Sequence, residues 1–462
     1  MTDIGVRGGE VSGGEAIGGE VSGRELSGRE LSGSGPPGAG PRGAGPRGIG
    51  PRVAGLRGIS LRELRAGLRH GADRGADRIG SATPPGRDRA VDALRAAAVL
   101  GVVLGHWLVT ALVADSGTLR TASPLQHMPW LTPVSWLFQT LAVFFLVGGH
   151  VATRSHASAR TRGVPYHRWL AARLSRLFLP VAAVLGLWTV AALALLLSGA
   201  EFMTVRTLVK LALSPLWFLV VFAALTAATP LLTRLNPLWP LAVVLHVDLL
   251  RFGLGGPSWL GWVNVAAGWL VPYTLGAAWT RGELEHRRAG WVLLAGGAAA
   301  TAGLVAWAGY PASMVGVPGE GMSNLDPPTL AVVTFGLAQC GLALLLRERL
   351  RHAMRRPVAW AAVALVNVSA MTVFLWHQTA LMATTATGLL VGRLPGLHTV
   401  PDGLGWVGAR LLWLPVFALA LAVCGAAFRS IEQSGADLGR RSRVVRAHRP
   451  PGRGTASKAR HV

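Results

Sequence analysis

Inside one apolar run of this sequence stand an acid, an arginine and a histidine whose spacing suits chemistry. In RDRAVDALRAAAVLGVVLGHWL, Asp92 and Arg95 are three apart, and His106 follows Arg95 by eleven positions. Eleven residues at about 100° each come within roughly 20° of three turns, so Arg95 and His106 share one helix face, about 16 Å apart along the axis. A guanidinium can hold phosphate oxygens in bidentate fashion, and a neutral imidazole in a low-dielectric site can take the proton of a hydroxyl. That pairing fits acyl transfer from a polyanionic thioester such as acyl-CoA, bound at the Arg95 end, to a hydroxyl activated by His106. Asp92 is expected to orient Arg95 or to balance its charge. The register predicts that Arg95 and His106 face one common pocket.

These residues need helices that cross a bilayer. Of 462 residues, 51% are hydrophobic and 15% charged, too apolar for two or three soluble domains. Apolar runs long enough for about 30 Å of hydrocarbon recur at 90–113, 134–153, 174–199, 215–234, 238–254, 262–280, 289–309, 328–346, 360–391 and 405–428. Alternate loops differ in arginine as a positive-inside bias requires: Arg154, Arg160, Arg162, Arg168, Arg173 and Arg176 lie in one, Arg234 in the next, Arg281, Arg287 and Arg288 in a third, and Arg347, Arg349, Arg351, Arg355 and Arg356 in a fourth. The opposite loops, such as GYPASMVGVPGEGMSNLDPP, are rich in glycine and proline. Arg206 and Lys210 are exceptions. The expected fold class is therefore all-α, a polytopic integral membrane protein of about ten transmembrane helices with both termini cytoplasmic.

Residues 1–85 are Gly/Arg/Glu-rich imperfect repeats, expected to be a disordered cytoplasmic tail. The transmembrane domain is placed at 86–432, and 433–462 is read as a second, basic tail. The net charge of +23 would raise nucleic acid as a partner, but the arginines that flank the spans serve orientation and no stacking platform accompanies them, so no nucleic-acid partner is expected. Cys340 and Cys424 both lie in apolar spans and are expected to be packing residues, with no disulfide or metal.

The order acid, Leu-Arg, apolar run and His in the first helix, here Asp92, Leu94, Arg95 and His106, resembles bacterial membrane acyltransferase family 3, which acylates sugars, surface glycans and secondary metabolites. Further likeness lies in the Arg-x-x-Arg pair Arg173 and Arg176 in WLAARLSRLFLP, in FFLVGGH of helix two, in Trp217-Phe218-Leu219 of helix four and in FLWH ending at His377. These motifs run in the expected order from about 87 to 428. His150 after the helix-two glycines and Leu375-Trp376 in helix nine depart from the usual pattern, and no appended hydrolase-like domain constrains the acceptor. The resemblance implies an O-acyltransferase of the bacterial cytoplasmic membrane that moves an acyl group, acetyl in the simplest case, from acyl-CoA as co-substrate to a carbohydrate, lipid-linked or metabolite acceptor, with no bound cofactor. Arg95, Arg173 and Arg176 would bind the donor, and His106 with Arg95 and Asp92 would be catalytic.

Trp217, Asp248 and His377 are the remaining candidates for the cavity lining. Against each stands a structural reading: aromatic packing for Trp217, an internal ion pair with Arg251 for Asp248, and a helix contact for His377. The rival function is a proton-coupled small-molecule or lipid-linked glycan transporter, since buried His and Asp also build proton relays. A pair of Gly/Pro-broken helices repeated in two halves would support it, and the sequence offers none.

Overall fold

The computed structural model describes residues 74–115 and 118–447, with side chains described as far as Phe428. The repeats before residue 74 and the end of the basic tail after 447 lie outside the described residues. Twelve helices are numbered here: α1 (Arg89–Val109), α2 (Leu141–Thr161), α3 (Tyr166–Leu197), α4 (Phe202–Leu213), α5 (Leu216–Leu232), α6 (Leu238–Asp248), α7 (Gly261–Thr280), α8 (Arg287–Trp307), α9 (Leu330–Ala353), α10 (Pro357–Val368), α11 (Ala370–Leu389) and α12 (Leu404–Ala447). Short helical turns fill the connections before α2 and α7.

Among the described residues, six stretches are long and apolar enough to cross a membrane: α1, α3, α4 with α5, α8, α9 and α12 as far as Phe428. The pair α10 and α11, bent by 71°, is a broken span or a re-entrant loop, and counted as one span it makes a seventh. The chain is thus a multi-pass helical membrane protein. Burial sorts the spans by position: 56% of α1 and 50% of α9 are buried inside the protein, against 17% of α8 and of α12. α1 is therefore central, packed by α2, α9, α10, α11 and α12. Val190, Leu193, Val292, Leu412 and Leu419 on the outer helices present apolar surface outward, as lipid contact requires.

The glycines of helix two have a steric cause. A Cβ on Gly149 would overlap the Tyr273 carbonyl, and one on Gly276 the Leu146 carbonyl, so α2 and α7 touch backbone to backbone. Gly148 leaves room for the ring of Phe222.

Several elements depart from the expectation, among them α4, which lies outside every expected span, and α3, which begins eight residues before 174. α1 stops at Val109 rather than at 113, because the chain turns extended at Thr110 and Ala111–Asp115 (β1) pairs antiparallel with Thr118–Ala122 (β2). The fold thus adds a two-stranded ribbon to its helices. The run 360–391 is two helices, not one: at the break, Asn367 and Ser369 donate to the carbonyls of Val363 and Leu365, turning side chains onto the backbone where the axis bends. Residues 74–85, placed in the tail by composition, are folded, with 74–81 helical and Thr83 Oγ1 accepting from Trp360 Nε1 at 2.9 Å. At the other end α12 runs on to Ala447, past the boundary placed at 433.

Both ends of α1 are anchored. At its start, Asp88 Oδ1 accepts from Ala90 N at 3.0 Å as an N-cap, while Oδ2 accepts from Arg351 Nη2 at 2.9 Å. At its far end the fully buried Arg410 donates to Trp107 O at 2.6 Å, Thr110 O at 2.6 Å and Gly396 O at 2.8 Å. The carbonyls that end a helix carry partial negative charge, so this guanidinium is held by the α1 terminus without a carboxylate.

Candidate active site

Two cavities lie along α1. The inner one, of about 200 Å³, is lined by Arg95, Arg173, Asn367, Phe144, Gly148 and Met371. The outer one, of about 240 Å³, is lined by His106, Gln139, Ser135, Phe138 and Trp217. Phe218 and Phe374 belong to both walls, with ring centroids 5.4 Å apart. Arg95 and His106 therefore share a helix face, as their register requires, yet they open into two chambers divided by an aromatic pair rather than into one pocket.

Arg95 is positioned by Asn367, not by Asp92. Its Nε donates to Asn367 Oδ1 at 2.6 Å and its Nη2 to Asn367 O at 3.1 Å. Asn367 in turn donates to Asp92 O at 2.8 Å, which locks the α10 terminus onto α1. The Asp92 carboxylate is engaged by Arg87, at 2.5 Å, on the surface side of the helix. A carboxylate at i prefers whichever cation approaches it with less desolvation, and Arg87 is 43% exposed whereas Arg95 points inward. The two carboxylate-free guanidinium groups of the inner cavity, Arg95 and Arg173, leave it positive. Arg173 donates to Val151 O at 3.3 Å and lies over the Trp169 ring. Arg176, one turn on, is exposed and outside the cavity.

His106 meets Gln378 and His377 from α11. Gln378 Nε2 lies 3.0 Å from His106 Nδ1, and the two imidazole centroids are 5.1 Å apart. His106 Nε2 is then the ring nitrogen left for a bound molecule. His377 does not line the chamber as expected. It is fully buried behind His106, with Nδ1 donating to Phe374 O at 2.7 Å and Nε2 without a hydrogen-bond partner among the described residues. Trp107 Nε1 donates to His377 O at 3.0 Å, so α1 and α11 are pinned beside the two histidines.

Asp248 lies outside both cavities. Its Oδ2 accepts from Leu330 N at 2.6 Å and from Tyr310 at 3.0 Å, and its Oδ1 accepts from Asn264 at 2.9 Å. It caps the start of α9 and ties three elements together, with Arg251 more distant at 3.9 Å, which is a structural role. His246 is exposed and turned to its own helix. His150 stacks on Trp279 at 4.2 Å and bonds Thr280, packed against α7 rather than facing either cavity. Trp217 lines the outer chamber as expected.

Spacing within α1 does not reveal Asn367, Gln378 or the dividing phenylalanines. The signal for the first two is a polar amide inside an apolar run, which hydrocarbon tolerates only with a partner. Arg410 carries the stronger form of the same signal, an ionisable group inside a span.

In chemical terms the inner chamber offers two guanidinium groups, the outer one an imidazole with a free nitrogen, and a pair of aromatic rings stands between. No curated protein and no solved structure matches the chain. The sequence profile of a family described as an acyltransferase domain matches residues 88–429, which takes in both chambers and every helix from α1 onward that lines them, and the chain belongs to that family, acyltransferase family 3, and is an acyltransferase.

Proposed function

We propose that the chain moves an acyl group, acetyl in the simplest case, from a cytoplasmic acyl-CoA to a hydroxyl of a carbohydrate or related metabolite acceptor, in the cytoplasmic membrane of a bacterium. The observation that carries this reading is the arrangement of two chambers back to back, arginines in one and His106 in the other. The donor's phosphates are held near Arg95 and Arg173, its thioester reaches the Phe218 and Phe374 divide, and the acceptor enters the outer chamber. His106 Nε2 takes the hydroxyl proton as the oxygen attacks the thioester carbonyl. The carbon–sulfur bond then breaks, and the imidazolium returns the proton to the thiolate, so CoA leaves as a thiol and His106 is neutral again. Ten crossings with both termini inside are proposed with it, because that topology puts Arg95, Arg173 and the arginine-rich loops on the donor's side.

Purified protein incubated with acetyl-CoA tests the reading by release of free CoA thiol. His106→Ala is expected to abolish release while the unfolding temperature stays within a few degrees of the parent. Undiminished release in that variant removes His106 from the mechanism. The transporter alternative would show exchange of substrate across a vesicle membrane without thioester consumption, and membership of an acyltransferase family argues against it.

A further inference from the structure

The lining of the outer chamber restricts the acceptor. Among its lining residues, His106 is the only ionisable one. Of the three side-chain hydroxyls, two are committed inward: Ser135 Oγ donates to Thr132 O at 2.7 Å and Ser214 Oγ to Leu211 O at 2.9 Å, which leaves that of Thr110 as the one hydroxyl open to a bound molecule. Gln139 Nε2 likewise donates to Met314 O at 3.0 Å. The remaining walls are aromatic or aliphatic, with Trp217, Phe138, Phe218 and Phe374 the largest. Arg95 and Arg173, which could receive an anion, belong to the other chamber, beyond the phenylalanine pair.

A carboxylate, phosphate or sulfate moved into such a chamber loses its hydration and meets no cation. A hexose loses less, but each ring hydroxyl left without a partner weakens binding by roughly tenfold, and several would be left. An apolar skeleton bearing one reactive hydroxyl loses nothing and gains contact with the aromatic walls. We propose that the acceptor is an uncharged, sparsely hydroxylated alcohol, its reacting hydroxyl set on an apolar skeleton, and that anionic and fully hydroxylated glycans are excluded. This rests on the acyl-transfer reading above and narrows it.

The test uses the full chain in lipid nanodiscs with acetyl-CoA and five acceptors: farnesol as a membrane-borne alcohol, octyl rhamnoside as a deoxygenated glycoside, glucose, glucuronate and glucose 6-phosphate. Free CoA thiol and the acylated product, identified by mass, are both measured. kcat/KM for farnesol or octyl rhamnoside is expected to exceed that for glucose by about 100-fold, with no product from the two anions; the better of the first two tells whether the alcohol arrives from the lipid or as a glycoside. Product from glucuronate or glucose at comparable efficiency overturns the acceptor inference while leaving acyl transfer standing. Absence of thioester consumption under all conditions overturns both. Gln139→Lys, which puts a cation into the chamber, is expected to lower farnesol acylation and to admit glucuronate; an unchanged preference in a folded variant also counts against the proposal.

Discussion

The side-chain nitrogen of Gln378 lies 3.0 Å from Nδ1 of His106, and the sense of that hydrogen bond decides what His106 can do. With Nε2 of the amide donating, Nδ1 is an acceptor and the imidazole proton sits on Nε2, facing the chamber as a donor. With the amide turned over, Oε1, otherwise buried and without a partner among the described residues, accepts from Nδ1–H and leaves Nε2 as a base. Proton abstraction from an acceptor requires the second arrangement.

Gln378 is accordingly a positioning residue whose loss should appear in kcat. Gln378→Leu, which keeps the volume but cannot accept from Nδ1–H, is expected to lower kcat by about 10–100-fold with KM for the thioester nearly unchanged. Gln378→Glu retains an acceptor at Nδ1 and should keep more activity than the leucine variant. Equal activity in the two variants, by thiol release, would show that the tautomer is not set here.

The arginines should separate by chamber. Arg95→Ala and Arg173→Ala each remove a cation lining the inner cavity and are expected to raise KM for acetyl-CoA by about 10–100-fold. Arg176→Ala, outside the cavity, should change it by less than about threefold. Asn367→Ala should copy the Arg95 variant in part, since it removes the Oδ1 contact of the guanidinium and leaves only the one to the backbone carbonyl. A larger effect at Arg176 than at Arg173 would place the donor elsewhere on the surface.

How much of this was legible in the sequence follows from what periodicity encodes. Apolar run length located most of the helices, because it reflects the bilayer directly, whereas Arg173 and Arg176, read as loop residues, lie inside α3, which begins at Tyr166. The helical register put Arg95 and His106 on one face, but a register says nothing about what packs between two points of that face, and Phe218 and Phe374 arrive from α5 and α11. The Asp92 expectation erred for a related reason. Spacing of three fixed its distance from Arg95, while the competing Arg87 on the turn before the helix decided its partner. The bend between α10 and α11 was hidden because Asn367 and Ser369 are too few polar residues to interrupt an apolar run.

The phenylalanine divide should govern water. Phe374→Ala joins the two chambers and lets solvent from the outer one reach the thioester. The ratio of acetyl-CoA hydrolysis to acyl transfer is expected to rise about tenfold or more, measured as thiol released per product formed. An unaltered ratio would show that the pair does not stand on the acyl path.

Arg410 should matter for stability rather than chemistry. Arg410→Ala leaves two buried carbonyls and one partly buried carbonyl without this donor, which costs several kcal/mol at about 1–3 kcal/mol for each buried one. Arg410→Lys should rescue little, because one ammonium cannot fan across three carbonyls as the planar guanidinium does. Thermal unfolding in detergent, followed by tryptophan fluorescence, separates these outcomes.

Acid should act on the other end of α1 through Asp88. Burial pushes its carboxyl up, but the Arg351 guanidinium and the amides of Ala90 and Val91 outweigh that and hold it below its ordinary value of 3.8. A carboxylate depressed on folding stabilises the native state fully above that ordinary value, and the contribution is lost as pH falls through the lower, folded one. Arg351 is 42% exposed, so solvent screens the pair and its worth at neutral pH is below about 1 kcal/mol. Asp88→Asn keeps the cap and removes the charge. The variant is therefore expected to unfold slightly earlier than the parent at pH 7, with the difference shrinking as pH falls below the ordinary value of 3.8 and the parent's own carboxylate is protonated. No difference at pH 7 would mean that Asp88 works through its cap alone and that Arg351 adds nothing, and a difference that persists undiminished into acid would mean that the charge is not its cause.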